Sequence, residues 1–309
     1  LRKIPRWLHN KVGAIVNQIN RVAIVGGTHG NEFTGAYLIQ KFAQFPDLIT
    51  RPSFETVTLL ANPQAFAAAR RYLEKDLNRC FLRQDLQNPA LNSYEELQAK
   101  SIQNSLALNG DKQADFILDL HSTTANMDLT IILVNTNPFN LKLAAYLSEI
   151  NPLVKVYSCD FKSVAENPFV NSLCELGFAI EIGPIAQGVL KATLFQQTEE
   201  LIHAVLDYLE QFNQGEIPAT NKTLTLYHHL SVVDYPKKQD GTIFGMIHPE
   251  LQDKDYQALN LGDPMFITFD NQTIVYQGES TVWPVFINEA AYYEKGIAMA
   301  LTQKQQLKI

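Results

Sequence analysis

Short Val/Ile-rich runs alternate with amphipathic stretches from Arg21 to about Phe212. A chain patterned this way has few options beyond a layered α/β fold around a largely buried sheet. The runs that read as strands are 21–27, 56–61, 115–120, 129–134, 153–157 and 178–182; helical periodicity covers 32–44, 93–108, 138–150 and 190–212. The pattern changes after Gln214-Gly215. From Thr223 onward, segments rich in Val, Ile, Thr, Phe and Tyr are punctuated by Gly and Pro at 223–228, 242–247, 264–269, 273–276 and 281–287. This predicts a β-rich segment closed by a helical tail from Glu289. The expected organisation is an α/β domain over residues 1–212 and a smaller β-rich domain over 213–309.

A chain of 309 residues is long enough for two such domains and at this size needs neither disulfide nor metal to hold its core. Hydrophobic residues at 46% against 18% charged exclude wholesale disorder. The net charge of −7 argues against nucleic acid or an anionic membrane as partner, since either calls for a basic face. Cys80, Cys159 and Cys174 are too few and too widely spaced for a disulfide framework or a CxxC metal site, and read as reduced thiols. No apolar run approaches the ~20 residues of a membrane span. Arg2, Lys3, Arg6 and Lys11 come without the apolar stretch of a signal peptide. The expected location is the cytoplasm.

The segment Gly26-Gly27-Thr28-His29-Gly30-Asn31-Glu32 sits where a strand ends and a helix begins, the edge at which open α/β sheets place ligands. One turn can bring the imidazole of His29 and the carboxylate of Glu32 to a single ion, but taken alone the segment reads better as a tight turn with a polar helix start. His121 changes that reading, because it too follows a strand, 115–120. Two imidazoles and one carboxylate, with the fourth position open, are the ligand set of a catalytic zinc site. Asp119 leans to the same face as His121 and either accepts its imidazole N–H or caps a neighbouring turn. Between these residues, the pair Asn78-Arg79 suits a carboxylate, and Arg71 could stabilise an oxyanion nearer the metal; a solvated loop is the alternative. Glu181 lies inside the apolar run 178–182, where desolvation raises a carboxyl pKa and fits it to carry a proton; a structural ion pair is the alternative.

Together, GGTHGNE at 26–32, DLNR at 76–79, DLHSTT at 119–124, EIGPIAQGV at 181–189, DPMF at 263–266 and PVFINEAAYYEK at 284–295 carry a resemblance. The chain resembles the aspartoacylase/succinylglutamate desuccinylase family, within the zinc-carboxypeptidase-like superfamily. The resemblance implies a zinc-carboxypeptidase-like mixed sheet flanked by helices, with the β-rich C-terminal domain covering the active site. It implies that His29, Glu32 and His121 bind one zinc ion and that Arg71 polarises a scissile amide carbonyl. By the same match, Asn78 and Arg79 hold a substrate carboxylate, and Glu181 is general base and then acid. Tyr292 matches a family tyrosine that reaches the substrate from the C-terminal domain. The implied activity is hydrolysis of N-acetyl-L-aspartate to acetate and L-aspartate by a cytoplasmic homodimer.

The chain departs from the family pattern where specificity is set. Asn171 stands where the family has an arginine for the substrate's side-chain carboxylate, and Asn167 replaces a tyrosine. Gly296 stands in for a lysine and Ser122 for an asparagine. Losing a charge-assisted pair weakens binding, with Lys162 or Lys295 as candidate replacements. The competing readings are a zinc deacylase for N-acyl amino acids with aromatic or neutral side chains, a peptidase of the same superfamily, and a non-catalytic binding protein. The intact set of candidate residues argues against the last.

Overall fold

The computed structural model describes residues 18–107, 113–159, 166–218, 220 and 223–309. In the first two-thirds of the chain the elements are β1 (Arg21–Gly26), α1 (Phe33–Gln44), β2 (Glu55–Leu60), α2 (Pro63–Ala67), α3 (Arg83–Leu86) and α4 (Tyr94–Leu106). They continue through β3 (Phe116–Ser122), β4 (Asp128–Leu133), α5 (Pro138–Ile150), β5 (Val154–Ser158), β6 (Leu176–Gly183) and α6 (Ala192–Asn213). Local chemistry explains several boundaries. Pro138 opens α5 behind Asn137, whose side chain accepts the Phe139 N–H, and Glu96 reaches back to the Ser93 N–H at the start of α4 (3.0 Å).

The strands form one mixed sheet in the order β2-β1-β3-β6-β4-β5, flanked by helices as expected. β1, β2, β3 and β6 run parallel, whereas β4 is antiparallel to β6. On one face α1, α5 and α6 bury Phe42, Leu143 and Ile202 against Ile24, Leu118 and Ile180. On the other, α4 packs Ala99 and Ile102 near Val25 and Ile117. Strand β3 runs past the expected end at Leu120: His121 and Ser122 stay in the ladder, opposite Glu181 and Ile182 of β6. Polar residues at a strand end read as a loop, but a neighbour in register keeps them paired.

The last third divides between two sheets. β7 (Thr223–Asp234), β11 (Trp283–Val285) and β12 (Ile297–Lys308) extend the main sheet beyond β5, while β8 (Gly245–Ile247), β9 (Pro264–Thr268) and β10 (Thr273–Val275) form a separate three-stranded sheet. The expected helical tail from Glu289 is corrected: a short 3-10 turn, Ala290–Lys295, gives way at Gly296 (φ +69°) to β12. The tail is rich in Ala, Leu, Gln and Lys, which favour helix, but its antiparallel pairing with β7 along its whole length overrides that weak preference.

Asp255 ties this last third to the connection between β3 and β4. It is buried, and its two oxygens accept the N–H groups of Ile287 (3.1 Å) and Asn126 (3.2 Å). Burial outweighs those bonds and pushes its carboxyl up to about 7, above the ordinary 3.8. A folded-state pKa above the unfolded one means that ionised Asp255 costs stability. That cost is fully present above about pH 7 and is relieved as pH falls toward 4. Asp255→Asn should therefore gain on wild type as pH rises from about 4 to 8, by on the order of 4 kcal/mol at most, less whatever the amide loses as an acceptor. Denaturant titrations at each pH measure the gain, and one that does not change with pH overturns the assignment.

Candidate active site

Three segments meet at the ends of β1, β3 and β6. Beyond β1, Gly27 takes a left-handed conformation (φ +67°) that turns the chain toward α1. Gly30 donates its N–H to the Arg71 carbonyl (3.1 Å), and a Cβ there would lie 2.1 Å from the Ala65 carbonyl carbon, so only glycine lets the two loops touch. This close approach delivers His29, and Glu32 at the head of α1, to the end of β3.

There His29 Nδ1 lies 2.6 Å from Glu32 Oε1, and His121 Nδ1 lies 3.0 Å from Glu32 Oε2. The two Nδ1 atoms are 3.2 Å apart, and all three side chains are buried. Each ring is held from behind: His29 Nε2 faces Asp76 Oδ1 (3.0 Å), and His121 Nε2 faces Asp119 Oδ2 (2.7 Å). Thr28 donates to the other Asp119 oxygen (2.9 Å). In the neutral tautomer that gives each Nε2–H to its carboxylate, each Nδ1 presents a lone pair toward the other. Two such lone pairs beside a buried carboxylate repel unless a cation lies among them, and a His-His-Glu donor set suits zinc. Burial drives the Glu32 carboxyl up, but in the metal-free site the imidazoles of His29 and His121, when protonated, outweigh it and hold it well below the usual range. Loss of either backing carboxylate, as in Asp119→Asn or Asp76→Asn, is expected to weaken zinc affinity about 10–100-fold. Competition with a chelator measures this, and unchanged affinity in both variants would remove the orienting role.

Arg71 leans on this cluster, its Nη1 3.1 Å from Glu32 Oε1 and its Nη2 3.6 Å from Asp76 Oδ2, while its buried Nε has no hydrogen-bond partner. Asn78 and Arg79 follow on a short 3-10 turn, Leu77–Arg79, capped by Asp76, which accepts the Asn78 N–H (2.9 Å). Asn78 Oδ1 is buried and unpartnered. The Arg79 guanidinium has no carboxylate partner among the described residues; it donates to the Asn78 carbonyl (2.7 Å) and lies over the Phe169 ring (5.2 Å). Glu181 opens onto the same cavity with no hydrogen-bond partner among the described residues, its backbone opposite His121. Burial, with Glu32 nearby, raises its carboxyl well above the usual value, while His121 and Arg71 partly oppose the shift. Tyr292 closes the cavity from the C-terminal side, and burial likewise raises its phenol.

All eight candidate residues therefore border one cavity of about 150 Å³. Its far wall is apolar: Ile132, Val134, Phe169, Ala179, Phe286 and the ring of Tyr157, whose hydroxyl turns away to His229 (3.0 Å). Of the substituted positions, Ser122 borders it, whereas Asn167 and Asn171 are withdrawn from it. Asn171 is buried with both amide atoms unpartnered, and Asn167 is buried with its oxygen accepting the Phe169 N–H (3.0 Å). Lys295 is exposed and does not border the cavity, and Lys162 falls outside the described residues. Sequence reasoning assigned no role to Asp76, although it lies in the DLNR motif. It also missed Glu289, a buried acid at the cavity edge that accepts the hydroxyls of Thr123 and Thr124 and the Thr124 N–H (2.7 Å). The one available signal was an acid two residues after the apolar run 285–287.

Residues 18–209 match the model of the succinylglutamate desuccinylase/aspartoacylase catalytic domain, and residues 222–304 match that of the barrel-sandwich hybrid domain of the same proteins. The chain belongs to the succinylglutamate desuccinylase/aspartoacylase family. Within this family it is 60% identical over 294 residues to a probable aspartoacylase of Trichodesmium erythraeum (strain IMS101), covering 95% of this chain and all of that one. It is 42% identical over 295 residues to the N-acyl-aromatic-L-amino acid amidohydrolase (carboxylate-forming) of Rattus norvegicus, covering 94% and 92% of the two chains. The crystal structure of murine aminoacylase 3 superposes with a TM-score of 0.89 at 39% identity over 95% of this chain and 98% of that one. Membership of this family makes the chain a hydrolytic enzyme. No helix among the described residues is long and apolar enough to cross a membrane.

Proposed function

We propose that this enzyme hydrolyses the amide bond of an N-acyl-L-amino acid, releasing a carboxylate and the free amino acid, with one zinc ion held by His29, Glu32 and His121. The carrying observation is the pair of Nδ1 atoms 3.2 Å apart across Glu32, beside an unpartnered Glu181. Zinc bound there would supply Lewis acidity, polarising a carbonyl and lowering the pKa of water. Glu181 takes a proton from water as its oxygen adds to the acyl carbon, then returns it to the leaving amine nitrogen. The raised pKa suits a group that must hold the proton between those events. Arg71, with a free Nε, steadies the charge that develops on the carbonyl oxygen. Arg79 and the Asn78 amide receive the substrate carboxylate, and the protonated Tyr292 hydroxyl donates to the bound substrate. In this reading residues 1–212 supply the chemistry, and residues 213–309 cover it through Phe286, Glu289 and Tyr292.

Two side-chain readings differ in one chemical requirement. N-acetyl-L-aspartate, supported by the 60% identical relative named probable aspartoacylase, needs a second cation for its second carboxylate. Arg71 is already engaged with Glu32 and Asp76, so Arg79 is the one cavity arginine among the described residues with no acidic partner. That count and the apolar wall favour neutral or aromatic side chains, as the name of the rat relative suggests. The three widely spaced cysteines, Cys80, Cys159 and Cys174, support a reducing, cytoplasmic setting, and a homodimer is the assembly proposed from the family resemblance. Metal analysis followed by amine release from N-acetyl aspartate, leucine and tyrosine tests the proposal. A zinc-loaded protein that releases amine from none of them overturns it.

A further inference from the structure

We infer that Phe169 both positions Arg79 and determines specificity: one face of its ring fixes the guanidinium that receives the substrate carboxylate, and the ring forms the wall against which the substrate side chain packs. The inference rests on the N-acyl amino acid reading above.

Arg79 is a cation at the cavity with no ion pair among the described residues, restrained by a bond to the Asn78 carbonyl (2.7 Å) and by the Phe169 ring at 5.2 Å. That separation is within range for a cation–π contact, which also limits how far the guanidinium can swing. The backbone that carries the ring is itself pinned. The Phe169 N–H donates to Asn167 Oδ1 (3.0 Å), and the adjacent Pro168 carbonyl accepts the Phe81 N–H (3.2 Å). Phe81 is fully buried beside Leu77 in the core that carries the Leu77–Arg79 turn. The Asn167 bond and the Phe81 anchor thus brace the ring and the guanidinium against the same piece of core.

The flanking positions make Phe169 decisive. Of residues 166–175, Phe169 alone borders the cavity; Asn167 and Asn171 are turned into the protein. Where a cation would meet a second carboxylate, this chain presents an aromatic ring on the same cavity as Ile132, Val134, Tyr157 and Phe286. An uncharged, apolar side chain gains from that surface, and a carboxylate is desolvated without a partner.

The test compares wild type, Phe169→Leu and Phe169→Tyr on N-acetyl-L-tyrosine, N-acetyl-L-aspartate and N-acetyl-L-tyrosinamide, which lacks the carboxylate. For N-acetyl-L-tyrosine, Phe169→Leu should raise KM about tenfold with kcat within about twofold, and Phe169→Tyr should restore the wild-type KM. The KM rise should be about threefold for the tyrosinamide, and the preference for tyrosine over aspartate should shrink. An unchanged KM, or an equal fall in kcat on all three substrates, overturns the inference. If Phe169→Leu melts early or loses zinc, Phe169→Met reads the same comparison. Wild type inactive on every substrate defeats the functional reading; active wild type with an indifferent Phe169 defeats this inference alone.

Discussion

Glu181→Ala should keep its zinc and its fold while losing turnover by about 10²–10⁴-fold, the range for removing a proton-transfer group. The carboxyl makes no hydrogen bond to the described residues, so its loss breaks no such bond and leaves the backbone register with His121 and Thr130 intact. Removing an acid that burial already penalises should, if anything, stabilise the protein. The measurement is kcat beside elemental analysis and a melting curve. A variant that turns over at the wild-type rate removes Glu181 from the chemistry, whereas one that loses its metal assigns it to the ion's surroundings.

His121→Ala should have the larger structural effect. It deletes one of two imidazoles facing Glu32 and leaves Asp119 buried with Thr28 as its remaining side-chain partner. Breaking a buried charge pair by removing one partner costs about 3–5 kcal/mol. His29 and Arg71 still face Glu32, so the lower end is expected. Metal content should fall to background and activity with it. Stoichiometric zinc in His121→Ala would show that the ion, if any, is bound elsewhere.

The sequence revealed the site through positions where one residue type is hard to replace. Gly30 is dictated by contact with the Ala65 backbone, and Asp119 and His121 share a face because a strand alternates. Glu181 stood out as a charge in an otherwise apolar run. Partners from distant segments left weaker marks. Asp76 reaches His29 across 47 residues, and Glu289 reaches Thr124 across 165, so nothing local distinguishes either from an ordinary acid. Asn171 could be recognised as a substitution, but whether its side chain faces the cavity depends on the 3-10 turn Val170–Leu173, which the residue pattern does not announce. The same limit explains the tail: its composition reads as helix, and only β7, more than sixty residues earlier in the chain, makes it a strand.

The pairing of β12 with β7, and of β7 with β5, has a consequence for how substrate arrives. The turn bearing Tyr292 is spliced between β11 and β12, in the same hydrogen-bonded fabric that carries His121 and Glu181. Paired strands flank that turn on both sides, so on the proposed reading the wall carrying Tyr292 should hold its place as substrate enters, and long or branched peptides should be poor substrates.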